Sequence, residues 1–200
     1  MAKSHPPMHL FFDTETTGLP KDWKAPSSAT NNWPRMVQIA WVLTDDAGNS
    51  LETYSAIIRP EGFTIPREAS DIHRVTQERA LAEGLPLSEV LEAFTTTMTK
   101  AQQLVAHNMA FDEMILGCEY HRIAGRDPLR SKPKACTMKN DDIIEWAAIP
   151  PHRYGSFKWP TLEQLHRKLF RTGVPDAHDA LVDVEATVRC YFGLRGLGVI

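Results

Sequence analysis

The sequence predicts an α/β fold built on a mixed sheet, and three observations carry that prediction. The first 60 residues hold short apolar runs separated by turn formers, which is a strand pattern. From Pro66 onward the apolar residues recur at helical spacing. Brief apolar stretches at Leu104 to Ala106 and Lys134 to Met138 then interrupt the helices. A hairpin needs no crossover, whereas strands returning after helices pair in parallel, so both kinds of pairing are expected in one sheet.

Taken in order, Met8 to Asp13 reads as a buried strand stopping at Asp13. Val37 to Thr44 and Thr53 to Arg59 are the next strands, and Asp45-Asp46-Ala47-Gly48-Asn49 between them predicts an antiparallel hairpin. Pro66-Arg67-Glu68 marks a helix start, and Leu87 to Gln102 is a second helix with Leu87, Val90, Leu91 and Phe94 on one face. Met109 to Ala124 follows, then a short helix at Lys139 to Ala148 and helices at Thr161 to Phe170 and Asp179 to Leu194. Lys21 to Arg35 is rich in Pro, Ser and Asn and is expected to be a long loop beside the first acidic residues. Its Trp23 and Trp33 either stack on bases or anchor the loop, with anchoring favoured.

Two hundred residues suit one domain, here residues 1–200, and 42% hydrophobic with 24% charged residues is an ordinary globular composition. The longest apolar runs are too short and polar to span a bilayer, and Met1 to His9 lacks the apolar stretch of a secretory signal. A cytoplasmic protein with no membrane partner is therefore expected. Cys118, Cys136 and Cys190 are odd in number and widely spaced, which fits reduced packing residues. A net charge of −3 excludes coating of long duplexes by electrostatics alone.

Three segments carry chemistry. Asp13 and Glu15 are two apart on a strand, so both side chains share a face. Asp112 ends His107-Asn108-Met109-Ala110-Phe111-Asp112 in a helix first turn, where capping alone explains many acids. His178 and Asp183 bracket another helix start, and a His–acid pair is more often structural than catalytic. Together, four converging acids need a cation, and an all-carboxylate set favours Mg²⁺ or Mn²⁺. Two such ions suit in-line displacement at phosphorus, and a histidine with an ordinary pKa of about 6.5 suits a general base.

Phe11 to Leu19, His107 to Asp112 and His178 to Asp183 resemble, in order and spacing, the three motifs of the DnaQ-like, or DEDD, exonuclease superfamily in its histidine-bearing branch. That branch includes proofreading subunits, ribonuclease T and oligoribonuclease. Ile72-His73-Arg74-Val75-Thr76 resembles the family's linking segment, so the similarity covers about residues 8 to 195. The resemblance implies a ribonuclease H-like sheet with helices on its faces. It implies that Asp13 bridges two divalent ions, that Glu15 and Asp183 complete the nucleophile side, and that Asp112 acts through an intervening water. His178 would be the general base. Thr16, Thr17, Gly18 and Leu19 would receive the terminal nucleotide, Thr17 through its backbone at the 3′-hydroxyl and Leu19 as a wedge on the last base. His107, Asn108 and Phe111 would line the cleft. The implied activity is 3′→5′ exonuclease action on a single-stranded DNA or RNA 3′ end, DNA favoured, with a polymerase or replication protein as an expected partner.

Two other classes compete. An aspartate-nucleophile phosphatase also places acids two apart at a strand end, but it leaves His178 without a role and lacks its lysine motif. A nucleic-acid-binding module without turnover would not need all five catalytic residues. Gln164 to Phe170 superficially matches a sliding-clamp-binding peptide, yet its apolar residues fall on one helix face and predict core packing. Lys132, Lys134, Arg153 and Lys158 are surface bases that either meet phosphate or are merely solvated.

Overall fold

The computed structural model describes residues 7–151, 155–175 and 178–200. Its sheet has five strands in the order β3-β2-β1-β4-β5: β1 His9–Thr16, β2 Met36–Thr44, β3 Ser50–Ile57, β4 Gln103–Ala106 and β5 Lys134–Cys136. β1 pairs antiparallel with β2 and parallel with β4, and β2 and β3 form the hairpin expected from the Asp45–Asn49 turn. Around the sheet lie α1 Arg67–His73, α2 Gln77–Glu83, α3 Leu87–Lys100, α4 Met109–Ala124, α5 Asp141–Ala147, α6 Leu162–Phe170 and α7 Ala180–Gly196. This is the mixed α/β fold that the sequence predicts.

The alternation along β1 decides what each face buries. Leu10 and Phe12 join Ile39, Trp41, Phe94 and Leu104 in the larger core under α3 and α4. Phe11 points the other way, into a smaller core with Ala40, Val42, Val105 and the first turns of α7. Asp13 and Glu15 continue the Phe11 side, so they emerge where α7 begins.

One expectation is corrected here. β1 does not stop at Asp13 but runs to Thr16, because β2 keeps pairing with it through Asp13↔Ala40, Thr14↔Ile39 and Glu15↔Gln38. An apolar run therefore underestimates a strand whose far half is held by its neighbour. The three cysteines are free, and two of them, Cys118 and Cys190, are buried. α6 buries Leu165 and His166, as core packing requires, and its start is closed by a Thr161–Gln164 capping box. Among the described residues, no helix is long and apolar enough to cross a membrane.

The long loop between β1 and β2 is locked from below by α4. Glu119, fully buried, accepts from the Met36 N–H at 2.8 Å and pairs with Arg35 at 3.1 Å and Arg122 at 2.8 Å. Arg122 also donates to the Trp33 carbonyl at 2.7 Å, and Arg35 donates its N–H to Thr17 Oγ1 at 3.0 Å. Trp33 is buried and its indole N–H reaches the Pro26 carbonyl, so this tryptophan anchors the loop.

Candidate active site

The site forms where the parallel half of the sheet runs out. The last parallel pair is Phe11↔Val105, while β1 continues to Thr16. Beyond that point β1 has no further partner in β4, which ends at Ala106, and α4 starts at Met109. Asp112, buried in the first turn of α4, takes up the slack: its Oδ1 accepts from the Thr14 N–H at 3.1 Å and from Thr14 Oγ1 at 2.7 Å. Asp112 thus replaces a missing ladder partner and comes beside Asp13 from the opposite face of the sheet. Open α/β sheets commonly bind ligands at the carboxyl ends of their strands.

α7 supplies the fourth acid. Asp179 caps its start by accepting from the Leu181 N–H at 2.9 Å, and Asp183 lies in the first turn. The N–H of His178 donates to Asp183 Oδ2 at 3.1 Å, with His178 in the left-handed region at φ 76°. Glu15, His178 and Asp183 can each offer a ligand atom within 4.8 Å of the others. His178 remains exposed, so its ring faces the opening of the site.

The electrostatics are those of an acidic cluster short of positive charge. Burial, then Asp112, Glu15 and Asp183, hold the Asp13 carboxyl well above the usual carboxylate range. Burial and then Asp183 push Glu15 up to about 8. Asp112 is raised to about 7 by burial, against the two Thr14 hydrogen bonds that favour its charged form. Asp183 is raised as well, again mainly by burial, with His178 opposing. Carboxyls in this condition bind either protons or a cation.

A cleft of about 500 Å³ opens over the cluster, lined by Asp13, His107, His178 and Asp183 together with α6 residues and Val174. Thr161, which caps α6, and Leu162 and Glu163 in its first turn form the far wall. Glu163 also holds the chain ahead of His178 by accepting from the Val174 N–H at 2.6 Å. Sequence reading did not select this wall, because a capping box looks the same whether or not a cleft lies beside it.

A family profile described as an RNase T exonuclease matches residues 10–191. The chain belongs to that exonuclease family. The fold agrees with solved structures of Escherichia coli exonuclease I: a complex with a dA16 oligonucleotide is 22% identical with a TM-score of 0.73, over 95% of this chain and 41% of that one. A zinc-bound form of an E. coli exonuclease I–single-stranded DNA complex is 21% identical, TM-score 0.71, with the same two coverages. Exonuclease I from Methylocaldum szegediense is 21% identical, TM-score 0.70, over 95% and 40%. The chain therefore spans about two fifths of the length of those proteins. No protein of curated function matches the sequence.

The remaining motif residues fall into distinct surroundings. Thr16 is buried and donates from Oγ1 to the Gly18 carbonyl at 2.7 Å, folding the chain so that Leu19 stands out 73% exposed. The Thr17 N–H is already committed to the Arg35 carbonyl at 2.9 Å, which narrows what its backbone offers a ligand. His107 lines the cleft, but its Nδ1 pairs with Thr137 Oγ1 at 2.9 Å and burial drives its pKa down to about 4. It is a neutral wall of the site rather than a charged contact. Asn108, also left-handed at φ 73°, keeps its buried Oδ1 without a partner among the described residues. Phe111 sits outside the lining of the cleft, against Trp23 at 5.8 Å and Trp33 at 6.5 Å between ring centroids.

The surface bases divide similarly. Lys132 donates to the Ala101 carbonyl at 2.6 Å, and Lys134 pairs with Glu113 at 3.2 Å. Both therefore have structural partners, while Arg153 lies outside the described residues.

Proposed function

We propose that the chain is a 3′→5′ exonuclease for single-stranded nucleic-acid ends, with DNA favoured, and that residues 1–200 form a single exonuclease domain. The observation that carries this reading is the convergence of Asp13, Glu15, Asp112 and Asp183 on one strand end, their carboxyls raised in pKa and His178 at the rim. The oligonucleotides in the exonuclease I structures, dA16 and dT13, motivate the choice of DNA.

The four carboxylates fit divalent cations, because burial and mutual repulsion leave them in need of positive charge. Asp13, Glu15, Asp112 and Asp183 would hold two such ions, Mg²⁺ or Mn²⁺. Bound ions of this kind supply charge stabilisation to both the attacking and the leaving oxygen at phosphorus.

His178 takes the proton of the attacking water as that water adds to phosphorus, and the bond to the preceding nucleotide's 3′-oxygen breaks. The product is a nucleoside 5′-monophosphate. Asp183 accepts from the His178 backbone N–H and so holds the segment that carries this base. Thr16 and Gly18 shape the turn presenting Leu19 to the last base, and His107 lines the neighbouring wall with Asn108 next to it in the chain.

The test is a time course on matched 5′-labelled single-stranded DNA and RNA with Mg²⁺, Mn²⁺ or EDTA, alongside Asp13→Ala. A ladder that shortens from the 3′ end, needs the metal and is missing in the variant is the expected result. Equal cleavage in EDTA would reject the mechanism, and faster shortening of RNA would reassign the substrate. A stable complex with a polymerase would place the activity in proofreading.

A further inference from the structure

The two tryptophans of the long loop do different jobs. Trp33 is 4% exposed and does the anchoring, whereas Trp23 is 57% exposed although it packs on Trp33 at 6.4 Å and Phe111 at 5.8 Å. An indole left half in water has not been spent on the core. It is nevertheless held in place. Asn32 donates from Nδ2 to the Asp22 carbonyl at 2.9 Å and accepts from the Asp22 N–H at 2.8 Å, while Arg122 fastens the far end of the loop to α4.

The position also points to an occupant. Phe111, which backs the ring, immediately precedes Asp112 at the start of α4, and exposed Leu19 lies on the same loop four residues before Trp23, so the ring is carried by two segments that also carry motif residues of the site. Exposed Lys21 and Lys24 lie on either side of it, and Asp22 between Lys21 and the ring is engaged by the Lys24 N–H at 2.9 Å, which leaves an aromatic face with a net positive edge, the combination that tracks an unpaired nucleic-acid strand.

We propose that Trp23, backed by Phe111, is a stacking subsite for an unpaired nucleobase of the bound strand, beyond the terminal nucleotide. This inference rests on the strand-end reading above. Stacking needs a flat π face and no particular hydrogen bonds, so the subsite accepts any base and adds affinity without sequence preference. The loop's fixed geometry means that little is lost to ordering when the base arrives.

The experiment is an abasic scan on a single-stranded DNA ten-mer, moving one abasic residue stepwise from the 3′ end, with wild type, Trp23→Ala and Trp23→Phe. On the intact strand Trp23→Ala should raise KM about ten-fold, equivalent to about 1.4 kcal/mol, and Trp23→Phe should recover most of it. One abasic position should weaken the wild type by a similar factor yet add nothing in Trp23→Ala, since ring and base act as one pair. Unchanged KM in Trp23→Ala, or losses that simply add at every position, would overturn the subsite and leave Trp23 as a surface for some other partner. If the wild type shortens no strand, the strand-end reading fails separately, and anisotropy with the same labelled strands carries the same comparison. Non-additive loss of binding at one position then supports the subsite, and equal binding by Trp23→Ala overturns it.

Discussion

A single buried carboxylate and a cluster of four enclosed ones are treated in opposite ways. Glu119 is enclosed by α4 and β2 with Arg35, Arg122 and the Met36 N–H converging on one of its oxygens. Asp13 and Glu15 are pressed together with Asp112 and Asp183, and every influence on the first two works against ionisation. A buried charge supplied with its own cations is part of the scaffold. A cluster that lacks them is a place where the protein depends on something it binds.

The sharpest way to break that comparison is to remove a member of the acidic cluster. Asp13→Ala should lower turnover at least about 10³-fold while circular dichroism stays that of the folded protein, because the residue serves bound charge rather than packing. Near-normal activity would undo the assignment. His178→Ala should lower the single-turnover rate by about 10²–10⁴-fold, with strand binding largely kept, as a general base acts only in the chemical step. An unchanged single-turnover rate would remove the histidine from the mechanism.

Glu119 should show the reverse profile. Glu119→Ala leaves Arg35 and Arg122 facing a void, and denaturant unfolding should report a loss of about 3–5 kcal/mol. A loss below about 1 kcal/mol would mean that the pairing is not structural.

The last expected effect is on the metal-free protein's pH dependence. Glu15 at about 8 and Asp112 at about 7 keep their protons in the folded state over a range where the unfolded chain, with values near 4.5 and 3.8, has released them. The unfolded state then binds fewer protons, so stability falls as pH rises from about 4 to about 8 and levels off above that. Thermal unfolding in EDTA should show Tm falling across this window. Asp13→Asn should flatten the drop, and Mg²⁺ should reverse it, since a ligand of the folded state raises its stability. A Tm that rises over this window would contradict the raised carboxyls.

Much of this was readable in advance, for specific reasons. Turn residues at Asp45–Asn49 and the change to helical spacing after Pro66 report local chemistry, so the hairpin and helices fall close to where the sequence places them. The five candidate catalytic residues are legible as candidates because each motif is short and its spacing is kept. Boundaries that depend on a neighbour were not legible: β1 runs past Asp13 only because β2 continues beside it. Trp23 and Trp33 look equivalent in sequence, and only packing makes one an anchor and leaves the other exposed.

The sequence by itself determined the mixed α/β class, the order of the elements and the acids and histidine of the candidate site, because periodicity and local motifs are properties of neighbouring residues. Tertiary structure alone decided that Asp112 would cap Thr14 in place of a strand partner, that Glu119 would clamp the loop, and that Glu163 would wall the cleft. Each of those contacts joins residues brought together from different elements. Their physical meaning is set by which buried polar groups find partners, and no local pattern records that.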